Sequence, residues 1–307
     1  MRIEKLNDHL HLVDLETAGI RNFIASYIFK GDKTAIIETG PTSSIPTLLT
    51  ALDKLRVNTK DVKYVAISHI HLDHGGGAGT LIKNLPNAKI VVHPRGAAHL
   101  TDPTKLWQQS QMVLGKNIID LYNAPEPAPA NKVVPTPDGT ILDIGNGQAL
   151  KTVETIGHAS HHQSYQDMSS GGIFPGDAAG IYLNEIDTIV PTTPAPFRMD
   201  LALSSIDKLM QLSPTALYYS HFGQGLHPTT KLQTYKNQLK LWAKIAKKGI
   251  QTGQNQESII KQIADADPAI QRSQQYVQEH EVLSRTVLSQ SVQGIMGYFQ
   301  KTATKQA

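Results

Sequence analysis

The chain predicts an α+β fold that ends in a helical extension, and three observations carry that prediction. Over roughly the first 110 of its 307 residues, short strand-like apolar runs alternate with helix-spaced apolar patterns. A dense cluster of histidine and aspartate stands where one of those strand-like runs ends. Beyond His227-Pro228 the composition turns to Gln, Lys, Ala and Leu with helical spacing, and clusters of that kind cease. The chain therefore divides into residues 1–228, which carry the chemistry, and residues 229–307, a helical extension. Such a length suits a catalytic domain of ~200–250 residues plus an appendage.

The elements follow in order. Residues 9–14 alternate apolar with polar and read as a strand. Residues 27–30 and 34–37 read as a hairpin joined near Gly31-Asp32. Leu48, Leu49, Leu52 and Leu55 share one helical face, so 45–55 reads as a helix. Residues 62–68 read as a buried strand and 89–92 as a further short one. The helix-like stretch 104–121 holds Trp107, Met112, Val113 and Leu114, which are expected in the core, a pocket lining being the other reading. Residues 122–138 are rich in Pro and Ala, a composition that favours extended backbone and breaks helices. They are expected to form a surface connection, with a wall or lid over a cleft as the alternative. Strand signals resume at 140–143 and 150–154. A second Pro-rich stretch, Pro191-Thr192-Thr193-Pro194-Ala195-Pro196-Phe197, precedes a helix-like run over 200–212. In the extension, Leu232, Tyr235, Leu239 and Trp242 mark one amphipathic helix. Residues 258–264 and 284–299 mark more, separated near Asp267-Pro268. The extension reads as a cap on the catalytic part, with a homodimer surface or a cover over a substrate mouth as functional alternatives.

The cluster is His69-Ile70-His71-Leu72-Asp73-His74, the pattern HxHxDH, and Gly75-Gly76-Gly77 follows it. Imidazole nitrogen and carboxylate oxygen suit a borderline ion such as zinc. Side chains alternate along an extended chain, so His69, His71 and Asp73 can start on one side, and a turn after Leu72 brings in His74. Two metal sites need more donors than this segment offers. His158 opens a run that continues to His161-His162, Asp177 follows Gly176, and His221 sits within 218–223. Each lies at or just after a strand-like run, beside a glycine or another small residue that lets backbone approach closely.

In chain order, HxHxDH, His158, Asp177 and His221 resemble the ligand motifs of the metallo-β-lactamase-fold superfamily of hydrolases, in its HxHxDH branch, over roughly residues 1–227. The resemblance implies an αββα four-layer sandwich, with the site at one edge where the loops of the two sheets meet. It implies that His69, His71 and His158 hold a first metal, that Asp73, His74 and His221 hold a second, and that Asp177 bridges them. A carboxylate has two oxygens for bridging, and a water between two such ions is ionised near neutral pH. Asp177 and Asp73 are then the catalytic candidates, Asp73 steering the hydroxide or carrying its proton. Two Zn2+ ions are expected, with Mn2+ or Fe2+ as alternatives. Two positions depart from the family pattern: His161 stands where members often carry glycine, and Glu38 where many carry Asp. His162 is expected to orient a ligand, the doublet's other readings being a substrate contact or an exposed pair. Glu38 is expected to brace the metal loop, or else to cap the following turn.

The expected function is a binuclear metal-dependent hydrolase whose metal-bridging hydroxide attacks an ester, lactone or thioester. Only 19 positions separate His158 from Asp177, and 44 separate Asp177 from His221, too few for the large inserted domain of the family's nucleic-acid-cleaving branch. A phosphodiesterase acting on a small nucleotide or phospholipid-like substrate is the alternative enzyme, and a non-catalytic metal-binding scaffold the alternative outside enzymes. Tyr182, Phe197 and Arg198 are candidate substrate contacts, as are Ile181 and Leu183; Tyr182 would donate to a developing oxyanion, or is a partly buried tyrosine of a β-element. There is no cysteine, hence no disulfide and no thiolate ligand, unlike the common zinc β-lactamases. With 29 basic and 26 acidic residues the charge is too balanced to imply a nucleic-acid partner. The N-terminal segment lacks the features of a secretory signal, and no apolar run approaches the ~20 residues of a membrane span. A cytoplasmic protein with a small-molecule substrate and no membrane contact is expected.

Overall fold

The computed structural model describes residues 1–280, 282–283 and 286–304. Its first sheet runs β1 (Ile3–Lys5), β2 (Leu10–Asp14), β3 (Ala25–Lys30), β4 (Thr34–Ile37), β5 (Val62–Ala66), β6 (Lys89–Val92) and β7 (Val133–Pro135), in chain order. The first four strands are antiparallel neighbours, and β4 to β7 pair in parallel. Parallel pairs need crossovers. These are α1 (Ile45–Lys54), then α2 (Leu72–Gly75) with α3 (Ala78–Ile82), then α4 (Ala97–Thr101), α5 (Thr104–Leu114) and α6 (Lys116–Tyr122).

The second sheet comprises β8 (Ile141–Gly145), β9 (Gln148–Glu154), β10 (Gln163–Asp167) and β11 (Ile173–Phe174), continued by β14 (Leu217–Tyr219) and β15 (Gly223–Gly225) beyond β11. Between them in sequence lie a separate hairpin, β12 (Ile181–Leu183) with β13 (Thr188–Val190), and helix α7 (Met199–Gln211).

Period-two alternation decides what each strand face buries. Ala25, Tyr27 and Phe29 of β3 share a buried cluster with Leu150, Tyr165 and Phe174 of the second sheet. From the opposite face, Ile28, Ile36, Val65 and Ile90 pack with Leu48 and Leu52 of α1 and Ile118 of α6. Val153, Leu217 and Tyr219 likewise pack with Ile206 of α7. Helices therefore cover both outer faces of two stacked sheets, the αββα sandwich. Burial on both faces is why the central strands read as nearly continuous apolar runs. Buried tyrosine hydroxyls need partners, and two of them tie the sheets together. Tyr27 Oη donates to the Tyr219 carbonyl at 2.6 Å, and Tyr165 Oη donates to the Ile67 carbonyl at 2.8 Å.

The extension consists of α8 (Pro228–Gln251), α9 (Gln256–Ala266), α10 (Pro268–Glu279) and, after a π-type turn over Thr286–Gln290, α11 (Ser291–Thr304). Leu232, Tyr235, Leu239 and Trp242 of α8 join the same connected core as the strands and α7. The helix expected over 104–121 is divided at Gly115, whose φ of 78° ends α5. The helix expected over 284–299 is regular α-helix only from Ser291, and Ser284 and Arg285 lie outside the described residues. Met112 is corrected from its expected core place: it is 78% exposed, because the outer face of α5 meets solvent. Among the described residues no helix is long and apolar enough to cross a membrane.

Candidate metal centre

The centre begins where β5 ends. Ile70 and Leu72 are buried and pack with the core, which anchors the segment that carries the histidines between and beside them. His71 precedes α2, and the His74 N–H donates to the His71 carbonyl at 3.0 Å, so one short turn folds His74 back towards His69 and His71. Gly76 is required by that turn, since a Cβ there would collide with the Leu72 carbonyl.

Three distant segments reach the same edge of the sandwich. His158 lies on the loop between β9 and β10, Asp177 follows β11, and His221 follows β14. Gly176 takes φ 53°, a left-handed conformation that favours glycine. A Cβ there would also press on His162 Nε2, at 2.6 Å. The seven expected ligands converge. Asp177 Oδ2 lies 3.4 Å from His158 Nε2, and its Oδ1 lies 3.4 Å from His74 Nε2 and 3.9 Å from His221 Nε2. Asp73 Oδ2 lies 3.4 Å from His221 Nε2 and 3.8 Å from His74 Nε2. Three groups have donor atoms close enough to hold an ion: His69 with His71 and His158, Asp73 with His74 and His221, and His69 with His74 and Asp177. The first two match the sets that the resemblance implies, and the third joins them through Asp177.

The far nitrogen of most rings is already engaged, which fixes which nitrogen faces the cluster. His158 Nδ1 donates to the Thr192 carbonyl at 2.9 Å, and His221 Nδ1 donates to the Phe23 carbonyl at 2.8 Å. His69 Nδ1 meets Ser68 Oγ at 2.9 Å. His74 Nδ1 lies 3.4 Å from Glu38 Oε1, within ion-pair reach. Glu38 itself is 1% exposed and takes φ 64°, a costly backbone state for a non-glycine residue. Its Oε1 accepts from Ser220 Oγ at 3.1 Å and its Oε2 from Ser68 N at 3.4 Å, so it touches both neighbours of His69 and His221. His162 Nε2 accepts from the Asp177 backbone N–H at 3.0 Å, while Nδ1 meets Thr155 Oγ1 at 2.9 Å.

Charge follows from these surroundings. Burial, reinforced by neighbouring imidazoles, holds His69, His71 and His162 well below the ordinary histidine range, which favours neutral rings. Burial also lowers His158, against the pull of Asp177. Burial disfavours charge on His74 as well, but Asp177, Asp73 and Glu38 surround it and push it well above that range. Burial would raise Asp177, yet His74 and His158 draw it well below the usual carboxylate range. The buried Nδ1 and Nε2 of His74 and Oδ1 of Asp177 make no hydrogen bond within the protein. Buried polar atoms are normally partnered, and imidazole nitrogens facing carboxylate oxygens suit a divalent ion. The residues present fit such ions.

His71, Asp73, His158, Asp177 and His221 form the floor of a cavity of about 410 Å3, and His69 and His74 are buried behind them. One wall is a face of α5, with Leu106, Val113 and Leu114; a second is the Pro-rich loop from Thr192 to Pro196; a third comes from the extension, through Leu283, Gln290 and Ser291. The two Pro-rich stretches thus differ. The first packs against α3, where Glu126 pairs with Lys83 at 2.9 Å, and it forms a surface connection. The second is a cavity wall. The extension's share fits the alternative of a cover over the cavity mouth, whereas Phe23 lines it from a position where the sequence offers no motif.

The expected substrate contacts at Tyr182, Leu183, Phe197 and Arg198 are corrected: none lines the cavity. Tyr182 Oη donates to Asp187 at 2.8 Å, and Lys231 Nζ sits 4.4 Å over its ring on the other side of the hairpin. Phe197 is buried in the core, and the exposed Arg198 pairs with Asp200 at 2.8 Å. Ile181, one residue before Tyr182, does line the cavity. Tyr182→Phe is accordingly expected to change kcat/KM by no more than about twofold, the effect of ~0.5 kcal/mol typical of positions away from such features. A hundredfold fall in steady-state kinetics would return the hydroxyl to the reaction.

His161, in the place of the usual glycine, does line the cavity. Its ring stacks over His69 with centroids 6.2 Å apart, and burial lowers it to about 4.

Comparison with known proteins agrees with this architecture. A family model described as the Metallo-beta-lactamase superfamily matches residues 20–221. The Metallo-beta-lactamase fold-containing protein ST1585 of Sulfurisphaera tokodaii is 28% identical over 222 residues, which span 70% of this chain and 78% of that protein. The crystal structure of ST1585 from Sulfolobus tokodaii superposes with a TM-score of 0.65 at 26% identity, covering 75% of this chain and 86% of that one. The metallo-beta-lactamase family protein TTHA1429 from Thermus thermophilus superposes with a TM-score of 0.69 at 19% identity. That superposition covers 97% of this chain and 95% of the other, so the likeness of fold continues through the helical extension.

Proposed function

The chain belongs to the metallo-beta-lactamase superfamily, and from that premise we propose that it is a binuclear metal-dependent hydrolase acting on an ester, lactone or thioester. The supporting observation is the convergence of five imidazoles and two carboxylates at one cavity, whose lining includes His71, Asp73, His158, Asp177 and His221, with His69 and His74 buried behind them. His69, His71 and His158 would hold one ion and Asp73, His74 and His221 the other, with Asp177 between them. Bound there, two divalent ions, Zn2+ by the donor set or else Mn2+ or Fe2+, would supply a water ionised near neutral pH and polarise the electrophile.

The chain's own residues do the rest. Ser68, Phe23, Thr192 and Glu38 fix the rings, so little reorganisation remains at the moment of reaction. Asp73 is partly open to the cavity, where its carboxylate would steer the attacking water. Apolar walls from Ile70, Leu72, Leu106 and Leu283 exclude bulk water and suit an acyl group. Among the described cavity residues, Lys105 is the one lysine or arginine, a poor match for a phosphodiester, which favours several cations. A cytoplasmic setting belongs to the same proposal.

Metal content per chain and hydrolysis of lactone, thioester and phosphodiester substrates, measured on one as-purified sample, test the reading. Close to two zinc ions are expected, with a preference for the ester class that a chelator abolishes and zinc restores. Turnover of bis(p-nitrophenyl) phosphate alone would make the protein a phosphodiesterase. No metal and no activity after reloading with zinc, manganese or iron would make it a binding protein on a hydrolase fold.

A further inference from the structure

We infer that the helical extension is a working part of the metal centre, with Ser291 acting as a positioning residue for His158; the inference rests on the metal-site reading above. Ser291 opens α11 and is 1% exposed. Its Oγ accepts from the Thr193 backbone N–H at 3.2 Å and donates to the Pro191 carbonyl at 3.2 Å. Its own carbonyl accepts from Thr193 Oγ1 at 2.8 Å. These bonds hold the residues on either side of Thr192. The Thr192 carbonyl in turn accepts from His158 Nδ1 at 2.9 Å. The opposite nitrogen of that ring, Nε2, lies 3.1 Å from His71 Nδ1 and 3.4 Å from Asp177 Oδ2.

An imidazole binds an ion along its nitrogen lone pair, so the rotation of the ring sets the strength of the bond. The partner of the other nitrogen fixes both that rotation and the tautomer. Here the partner is a carbonyl on a loop that follows β13 and lacks regular structure until α7 begins. Such a carbonyl needs an anchor, and Ser291 supplies it from a part of the chain that contributes no ligand. Gly294 brings the backbone of α11 against the same loop, since a Cβ there would collide with the Thr193 carbonyl. The anchored loop also lines the cavity through Thr192 and Pro194, so one contact governs a ligand's orientation and a wall's position.

Cobalt(II) titration of the full-length protein tests this, followed by calorimetry and by the visible absorption of the bound ion. Wild type is expected to fill two sites. Ser291→Ala should weaken one of them about tenfold and alter its spectrum, at the lower end of the effect seen when a ligand's orienting partner is removed. The other site should keep its affinity. Ser291→Thr retains the hydroxyl and should restore both. Thr193→Val deletes the contact from the other side; it should reproduce the one-site loss, and it carries the test if Ser291→Ala does not fold. A merely structural role would weaken both sites equally or leave both unchanged, and either result overturns the inference. A wild-type protein that binds no cobalt would overturn the metal-site reading itself, and this inference with it.

Discussion

Asp177→Ala is expected to fold as the wild type does, to bind at least one divalent ion fewer, and to lose nearly all hydrolysis. Its two oxygens face different histidines: Oδ2 approaches His158, whereas Oδ1 approaches His74 and His221. On the proposed reading, this one carboxylate would offset charge at both ions. The fold should survive because no hydrogen-bond donor of the protein depends on Oδ1. The bond that places the residue, from its backbone N–H to His162, is untouched by the substitution. Loss of a preorganised electrostatic group of this kind costs on the order of 10²–10³ in rate, and loss of an ion should add to it. Asp177→Asn keeps the shape and one carbonyl oxygen but not the charge, so it should fall between the two. Elemental analysis of metal per chain, near-ultraviolet circular dichroism and kcat/KM read the three expectations separately. Full metal content with unchanged activity in Asp177→Ala would remove the bridging role.

The same geometry explains what the sequence could and could not disclose. The ligands were legible because their signals are local: HxHxDH packs four donors into six positions, and His158, Asp177 and His221 each follow a strand end beside small residues. Strands such as Lys89–Val92 were legible because helices on one face and a second sheet on the other force a continuous apolar run. The walls of the cavity were not. Val113 and Leu114 have the spacing that a core-facing helix would also show, yet Val113 is 57% exposed beside the cavity. Ser291 and Leu283 reach the site through packing of distant helices, which leaves no mark on neighbouring sequence. Tyr182 shows the limit most sharply. Its nearness to Asp177 in the chain suggests contact with a substrate, but strand alternation sends Ile181 to the cavity and Tyr182 to Asp187. Proximity along the chain fixes distance to the site, and the pleat decides direction.

Asp267→Ala is expected to cost about 3–5 kcal/mol of stability, a large effect for a residue that touches neither cavity nor ligand. Asp267 is 2% exposed at the junction of α9 and α10. Its Oδ2 accepts from Trp242 Nε1 at 2.7 Å and from Gln238 Nε2 at 2.9 Å, both on α8. Its Oδ1 accepts from the Ala269 N–H at 2.9 Å and so caps α10, whose first residue is Pro268. Three helices thus meet on one buried carboxylate, whose charge is offset by three donors and the positive end of the α10 dipole. Alanine removes the cap and leaves a buried indole N–H without its acceptor, and each buried orphan costs ~1–3 kcal/mol. Asparagine can accept through one oxygen only, so Asp267→Asn should lose roughly half as much. Gln238 also donates to the Ile189 carbonyl of β13, and Trp242 lies in the core shared with α7 and the strands. The loss should therefore appear in a single unfolding transition of the whole chain, followed in urea by tryptophan fluorescence and by secondary structure. A midpoint that moves by less than the equivalent of ~0.5 kcal/mol would show that the knot carries little. A separate, earlier transition would show that the extension from residue 229 unfolds by itself, and that its hold on the metal centre is correspondingly weak.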